Sequence, residues 1–296
     1  MKRSLSEEKN NAVGSICKVL IPFSERKPLE EIERLIVKGF RKKIWKQFIK
    51  AIDEYSLVKN GDKIAVAISG GKDSILMAKL FQELKRYGKM NIELEFIVMD
   101  PGYNENIKKL LIDNCKYLNI PIKIFESGIF RIIDDIAKEN PCYMCAKMRR
   151  GALYSKAKEL GCNKLALGHH FNDVIETTLL NIFYSGNFKT MLPKLKSTNF
   201  ENIELIRPMY FICEEHIERF IQISGILPID CACMVAAKKI SSKRYEMKEL
   251  IKKLKTNFKN VDKSIFSAAQ NVNMDAILGW EKGGKKYSFL DFYDKE

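Results

Sequence analysis

From about Pro28 to Leu57 the apolar residues Leu29, Ile32, Leu35, Ile36, Phe40, Ile44, Phe48 and Ile52 recur at three- and four-residue steps. That period predicts a helical stretch with one apolar face. Between them stand Arg41, Lys42, Lys43, Lys46 and Lys50, a cationic side that serves either as solvated surface or as a contact for nucleic acid. At Lys63 the pattern changes: KIAVAIS is a short β-branched run, SGGKDS follows, and residues 75–87 return to the helical period. The alternation continues through strand-like IELEFIVM before Asp100, helical 104–118, strand-like IPIKIF, helical 129–137 and 144–160, strand-like KLALG and helical 172–184. Strands alternating with helices predict an α/β fold, a parallel sheet with helices on both faces. After Arg207-Pro208 the chain reads as helix from about Glu214, then LPIDCAC, then lysine-rich helical segments to the end, with no internal repeat or low-complexity linker.

The 296 residues, 46% of them hydrophobic, suffice for one large domain or two modest ones and exclude a small stapled scaffold. No run approaches the roughly 18 uncharged apolar residues of a membrane helix. Lys2 and Arg3 are followed by Glu7, Glu8 and Lys9 before any apolar run, so no secretory signal is read and a cytoplasmic, reducing location is expected. There, eight cysteines point to metal or redox chemistry ahead of disulfides. A formal charge of +14, from 51 Lys+Arg against 37 Asp+Glu, favours a polyanionic partner, nucleic acid first, because neutralised phosphates release counterions.

Ligands of a parallel α/β sheet sit beyond the carboxyl ends of its strands, which is where the strand–loop–helix reading puts Ser69–Ser74. Gly70 and Gly71 let the backbone approach an anion, the following helix offers unpaired amides, Lys72 adds a point charge and Asp73 can hold magnesium. The loop is neither a Walker GxxxxGK[ST] nor a GxGxxG dinucleotide fingerprint. It resembles instead the PP-loop of the N-type ATP pyrophosphatases, which split ATP between the α and β phosphates. The resemblance implies a Rossmann-like, HUP-type fold and adenylation chemistry, with Ser69, Gly70, Gly71, Lys72, Asp73 and Ser74 on the β and γ phosphates.

Cys142 and Cys145 form PCYMC and, 86 residues on, Cys231 and Cys233 form CAC; Cys17, Cys115, Cys162 and Cys213 stand singly among apolar neighbours and read as core. A CxxC pair alone suits structural zinc, a redox pair or half of a cluster site, and the distant CAC makes metal binding the better reading. The order CxxC with Arg149-Arg150-Gly151 close behind, then LGHH-x-x-D (Leu167–Asp173), MLPKL, IRPM and CAC is similar to that of the tRNA 2-thiocytidine synthetases, over most of the chain from about Gly61 and arguably as far as Gln270–Val272. That family resembles sulfur-transfer enzymes with a 4Fe-4S cluster on three cysteines and one open iron.

The resemblance implies Cys142 and Cys145 as two ligands and Cys231 as the third, with Cys233 the alternative. If both bind, four thiolates would suit structural zinc or an electron-transfer cluster. It also implies Asp173 as catalytic or metal-binding carboxylate, Arg149 and Lys72 as stabilisers of phosphate charge, and Gly168 and Asp100 beside the nucleotide, although a strand-end acid such as Asp100 is as often a cap. Where the family has GHH-x-DD this chain has Asn172 for the first acid, which puts any role at 172 in doubt. A zinc pair of His169 and Asp173, four residues apart, is disfavoured by its strand-to-helix position.

The expected organisation is a helical N-terminal segment 1–60, a PP-loop α/β catalytic domain 61–230 and a helical C-terminal extension 231–296. The implied partners are ATP, Mg2+, tRNA, a sulfur donor such as a cysteine-desulfurase persulfide or sulfide, and a second copy in a homodimer. The implied reaction is thiolation of a tRNA pyrimidine at C2, with cytidine 32 leading. Its rivals are thiolation of another pyrimidine such as a T-loop uridine, a lysidine-synthetase-like ligation that needs no cluster cysteines, and a non-catalytic iron–sulfur tRNA-binding role.

Overall fold

A computed structural model describes residues 25–88, 90–127, 141–229 and 243–293, and the side chains of all of these except 141–146. They fall into two compact units, one of residues 25–173 with 192–229, the other of 174–191 with 243–293.

In the larger unit β1 (Lys63–Ile68), β2 (Glu93–Asp100), β3 (Ile122–Glu126), β4 (Lys164–Ala166), β5 (Lys194–Lys196) and β6 (Glu204–Ile206) form one sheet in the order β3-β2-β1-β4-β6-β5. The pairs are parallel except β5 on β6, an antiparallel edge. Strands covered on both faces need no polar alternation, and in β1 Ile64, Ala65 and Val66 are all fully buried. On one side α3 (Lys72–Tyr87) buries Leu76, Met77, Leu80 and Phe81. Ala65, Ala67, Leu165 and Leu205 form a cluster with Ala157 of α5 (Pro141–Glu159). From β1 the chain winds outward to β2 and β3 through α3 and α4 (Glu105–Tyr117), then returns to β4 on the other side of β1. The crevice for a ligand therefore lies at the carboxyl ends of β1 and β4.

The sheet and the flanking helices of the sequence reading are present. The predicted helix 129–137 lies outside the described residues, and β5 and β6, three residues each, are too short to leave a periodic signal. The N-terminal helix is not continuous. It comprises α1 (Leu29–Arg34), two π-helical turns (Leu35–Gly39 and Arg41–Trp45) and α2 (Lys46–Tyr55). Phe40 N donates to Leu35 O across 2.7 Å in the wider i to i+5 pattern. Ile36 and Ile44, one in each of these turns, are both fully buried. The buried side meets the sheet's helices: Phe48 lies edge-on to Phe81 at 5.5 Å, and Phe40 to Phe220 of α7 (Glu214–Ser224) at 5.8 Å.

Beneath it is a buried ionic cluster. Lys79 Nζ donates to Glu33 Oε1 at 2.7 Å and to the Leu118 carbonyl at 3.2 Å, while Arg86 bonds Glu33 Oε2 at 2.6 Å. Burial pushes the Glu33 carboxyl up, but the bonds from Arg86 and Lys79 more than reverse this and hold it below its ordinary value. Burial pushes Lys79 down and Glu83 up. Glu33→Ala would strand the Lys79 ammonium away from water. The expected loss is about 3–5 kcal/mol, the scale for breaking a buried pair, read as a lower urea midpoint. Since the folded Glu33 pKa is lowered, its contribution is present above the unfolded value and fades as pH falls through the folded one.

In the smaller unit the outer turns of α6 (Phe171–Ser185) share bonds with α8 (Lys243–Asn257), among them Arg244 to Glu176 at 3.5 Å and Tyr184 to Glu246. After α9 (Val261–Ala268) the chain forms a hairpin of β7 (Gly279–Lys282) and β8 (Lys285–Ser288), then α10 (Leu290–Tyr293). The expectation of helix to the end is thus corrected. Gly283 and Gly284, with φ of +61° and +79°, make the two-residue turn, and Trp280 stacks on Tyr287 across the strands at 5.4 Å.

Candidate active site

The loop after β1 is closed by its own hydroxyls. Ser74 Oγ donates to the Gly71 carbonyl at 2.9 Å and accepts from the Ser69 amide at 3.2 Å. Gly70 has φ +82°, where an L side chain is strained. Gly71 occupies the N-cap position of α3 with no side chain capping it, which leaves the first amides of the 16-residue helix available to an anion. Lys72 Nζ sits 3.1 Å from Glu214 Oε1 and 3.3 Å from Asp73 Oδ2. Burial alone would pull its pKa down, yet the two carboxylates outweigh burial and raise it, so the ammonium stays charged at working pH.

Opposite the loop is the segment after β4. A Cβ on Gly168 would stand 3.3 Å from the Asp73 carbonyl carbon and the Ser74 amide nitrogen, so the two backbones approach closely there and a side chain would have to press them apart by a few tenths of an ångström. His170, 5% exposed, lies between two acids, Nε2 3.7 Å from Asp73 Oδ1 and Nδ1 3.6 Å from Asp173 Oδ2. Asp173 also accepts from the His170 amide at 3.0 Å, closing the first turn of α6 as the acid of a capping box does. Asp73 Oδ1 is buried with no hydrogen bond among the described residues. A carboxylate oxygen in that state fits a hard cation such as magnesium. Asn172 Oδ1 accepts from the Glu214 amide at 3.0 Å and so caps α7, a structural use at the position where the motif lacks its acid.

Arg207, at the end of β6, is 4% exposed; one guanidinium nitrogen bonds the Leu192 carbonyl and Nε has no partner among the described residues. Burial and the neighbouring Arg150 push its pKa down to about 10, partly countered by Tyr154, Tyr210 and Asp173. Arg149 is half-buried on α5. Asp100 ends β2, but one oxygen accepts from the amides of Gly102 and Tyr103 at 2.8 and 2.7 Å and the other lies 3.3 Å from Lys108. Burial pushes that carboxyl up, and these bonds overcome it and hold it low, so its lone pairs are taken by its own turn. Sequence reasoning missed His170, Glu214 and Arg207. The doubled histidine ending three residues before Asp173 was the available signal for the first and the IRPM run for Arg207; Glu214 needed the fold.

The PP-loop domain family model matches residues 40–228. The tRNA-cytidine(32) 2-sulfurtransferase of Pelobacter propionicus is 36% identical over 79% of this chain and 87% of its own. The chain belongs to the tRNA 2-sulfurtransferase family. The corresponding enzyme of Cellvibrio japonicus is 35% identical over 81% of this chain and 79% of its own. In fold, the chain is similar to the U34-tRNA thiolase NcsA of Methanococcus maripaludis, solved with its 4Fe-4S cluster: TM-score 0.61, 24% identity, 76% of each chain covered. Membership makes the protein a sulfurtransferase enzyme with a PP-loop domain.

For the cysteines that the family resemblance singles out, the fold supplies position. Cys142 and Cys145 are the second and fifth residues of α5. Cys231 and Cys233 lie outside the described residues, but Ile229, two positions before Cys231, donates its amide to the Gly70 carbonyl at 2.9 Å. Thiolates are the soft donors an iron–sulfur cluster takes, so the donor set fits. Among the described residues no group of three or more His, Cys, Asp and Glu is placed to hold a metal.

The same contact makes Gly70 a point of failure. A Cβ there would stand 2.5 Å from Ile229 Cδ1 while φ stays at +82°. Gly70→Ala is expected to cost about 1–2 kcal/mol of stability and to weaken ATP binding, both measurable by thermal shift with and without nucleotide.

Proposed function

We propose that the protein is an ATP-dependent tRNA 2-sulfurtransferase that replaces the C2 oxygen of a tRNA pyrimidine, cytidine 32, by sulfur. The observation that carries this is the SGGKDS loop, uncapped and glycine-lined, at the sheet's switch point with a buried His–Asp pair against it. Ser69, Gly70, Gly71, Lys72, Asp73 and Ser74 hold the β and γ phosphates, Lys72 exchanging its carboxylate partners for phosphate oxygens. Asp73 and Asp173 hold magnesium, with His170 fixing the spacing between them. Gly168 lets the β4 loop close on the nucleotide and Asp100 shapes the neighbouring turn. Arg149 and the buried Arg207 offset the charge that develops at the α phosphorus.

The C2 oxygen attacks that phosphorus and pyrophosphate leaves. Sulfide then attacks C2, the C–O bond breaks, and AMP departs with the former C2 oxygen. Cys142, Cys145 and Cys231, or Cys233 in its place, would hold a 4Fe-4S cluster, which would supply a place for the sulfide to bind. Free sulfide, or a desulfurase persulfide together with a thiol as two-electron reductant, would renew the sulfide. A cytoplasmic location and a homodimer complete the reading, and no described helix is long and apolar enough to cross a membrane.

The test is mass spectrometry of digested bulk tRNA from a strain lacking the protein, its parent, and the strain with the gene restored. Loss of 2-thiocytidine that returns on restoration is the expected result. Loss of a different thionucleoside would move the target, and survival of all thionucleosides would overturn the proposal.

A further inference from the structure

Seven cations, Arg34, Lys38, Arg41, Lys42, Lys43, Lys46 and Lys50, occupy the seventeen positions from Arg34 to Lys50, and no acid stands among them. All seven are exposed, while Ile36, Ile44 and Phe48 of the same stretch are buried, so every charge points outward from the unit. Among the described residues the one ion pair to any of them is Lys50 with Glu54 at 3.7 Å, on the surface. Unpaired like charges this dense repel one another and gain from an external anion.

The two π-helical turns fall inside this run and carry Lys38, Arg41, Lys42 and Lys43. Such turns are rare and frequent at functional sites. The field reaches further: Lys43 and Arg219 of α7 join burial in depressing the pKa of His216, against the pull of Glu215. The far end of the run leads to the site. Lys50 Nζ lies 4.5 Å over the ring of Phe211, which stacks on Tyr55 at 5.5 Å. Phe211 is next to Ile212, whose carbonyl accepts from Phe171 at the start of α6, two residues before Asp173.

We propose that the outer side of residues 34–50 is the surface on which the sugar–phosphate backbone of the tRNA lies. Its seven charges span roughly 20 Å, several phosphates of one strand, and lead toward the His170–Asp173 pair. Half-buried Trp45 lies among them. The occupant is an RNA and not an acidic protein because the charge is continuous and unspecific, which suits a regular polyanion. This rests on the tRNA reading above.

The test uses the full-length holoenzyme and deacylated bulk tRNA at several salt concentrations. The triple variant Lys42→Glu, Lys43→Glu, Lys46→Glu should bind at least about tenfold more weakly and show a salt slope shallower by about one for each phosphate no longer neutralised, with ATP binding unchanged. Charge reversal at three exposed lysines of the smaller unit, Lys252, Lys253 and Lys259, should leave affinity and slope close to wild type. Wild-type affinity and slope in the first variant, or the weakening appearing in the second instead, would overturn the surface. If the wild-type holoenzyme itself fails to bind tRNA, it is the tRNA reading that falls, and this surface with it.

Discussion

Cys142→Ala is expected to cripple thiolation while nucleotide still binds. The purified variant should lose the brown colour and visible absorption of an iron–sulfur cluster and form 2-thiocytidine at least about 100-fold more slowly, since even residues that merely orient a metal ligand cost 10–100-fold. Cys145→Ala should match it, because the proposed cluster takes a thiolate from each and residues that act as a unit fail together. The informative control is ATP binding. The SGGKDS loop joins β1 to α3, and the bonds by which Ser69 and Ser74 close it lie within the loop itself. A cysteine variant that kept full thiolation would remove the cluster from the mechanism and favour a ligase that uses only the adenylated base.

Lys72→Ala is expected to do the reverse: the cluster spectrum stays and adenylation fails. Loss of one preorganised donor to developing charge typically costs about 10²–10³ in rate, so AMP release in single turnover with tRNA and saturating ATP should fall by that much. Lys72 is held between Asp73 and Glu214, at 3.3 and 3.1 Å, so the ammonium is already placed before ATP arrives. Lys72→Arg keeps the charge but not the compact geometry and should recover only part of the rate. The raised pKa of Lys72 has a consequence for the wild-type profile: no alkaline loss of activity from its deprotonation is expected below the ordinary lysine value. Equal pyrophosphate release by Lys72→Ala and wild type would remove the residue from phosphate binding.

Much of this was legible in the sequence for a simple reason. Buried parallel strands and amphipathic helices write their period into consecutive residues, and a phosphate loop needs its glycines, lysine and hydroxyls next to one another; β1, α3 and SGGKDS are therefore visible in 63–87 alone. The cysteine pair of α5 is legible on the same ground, two cysteines three positions apart. Short or irregular elements wrote too little: β5 and β6 span three residues each, the two π-helical turns share the apolar steps of an ordinary helix, and the β7–β8 hairpin was hidden among lysines although Gly283-Gly284 marked its turn.

What only the tertiary structure decided is which distant residues meet. The apposition of Gly168 to Asp73, the placing of His170 between Asp73 and Asp173, the capping of α7 by Asn172 and the Lys72–Glu214 pair, 142 residues apart, depend on β4 returning beside β1. A linear pattern carries the local period of each element and the residues of each loop. The crossover that brings two loops to one crevice is fixed by the burial of whole strands against one another, and no short stretch of chain contains it.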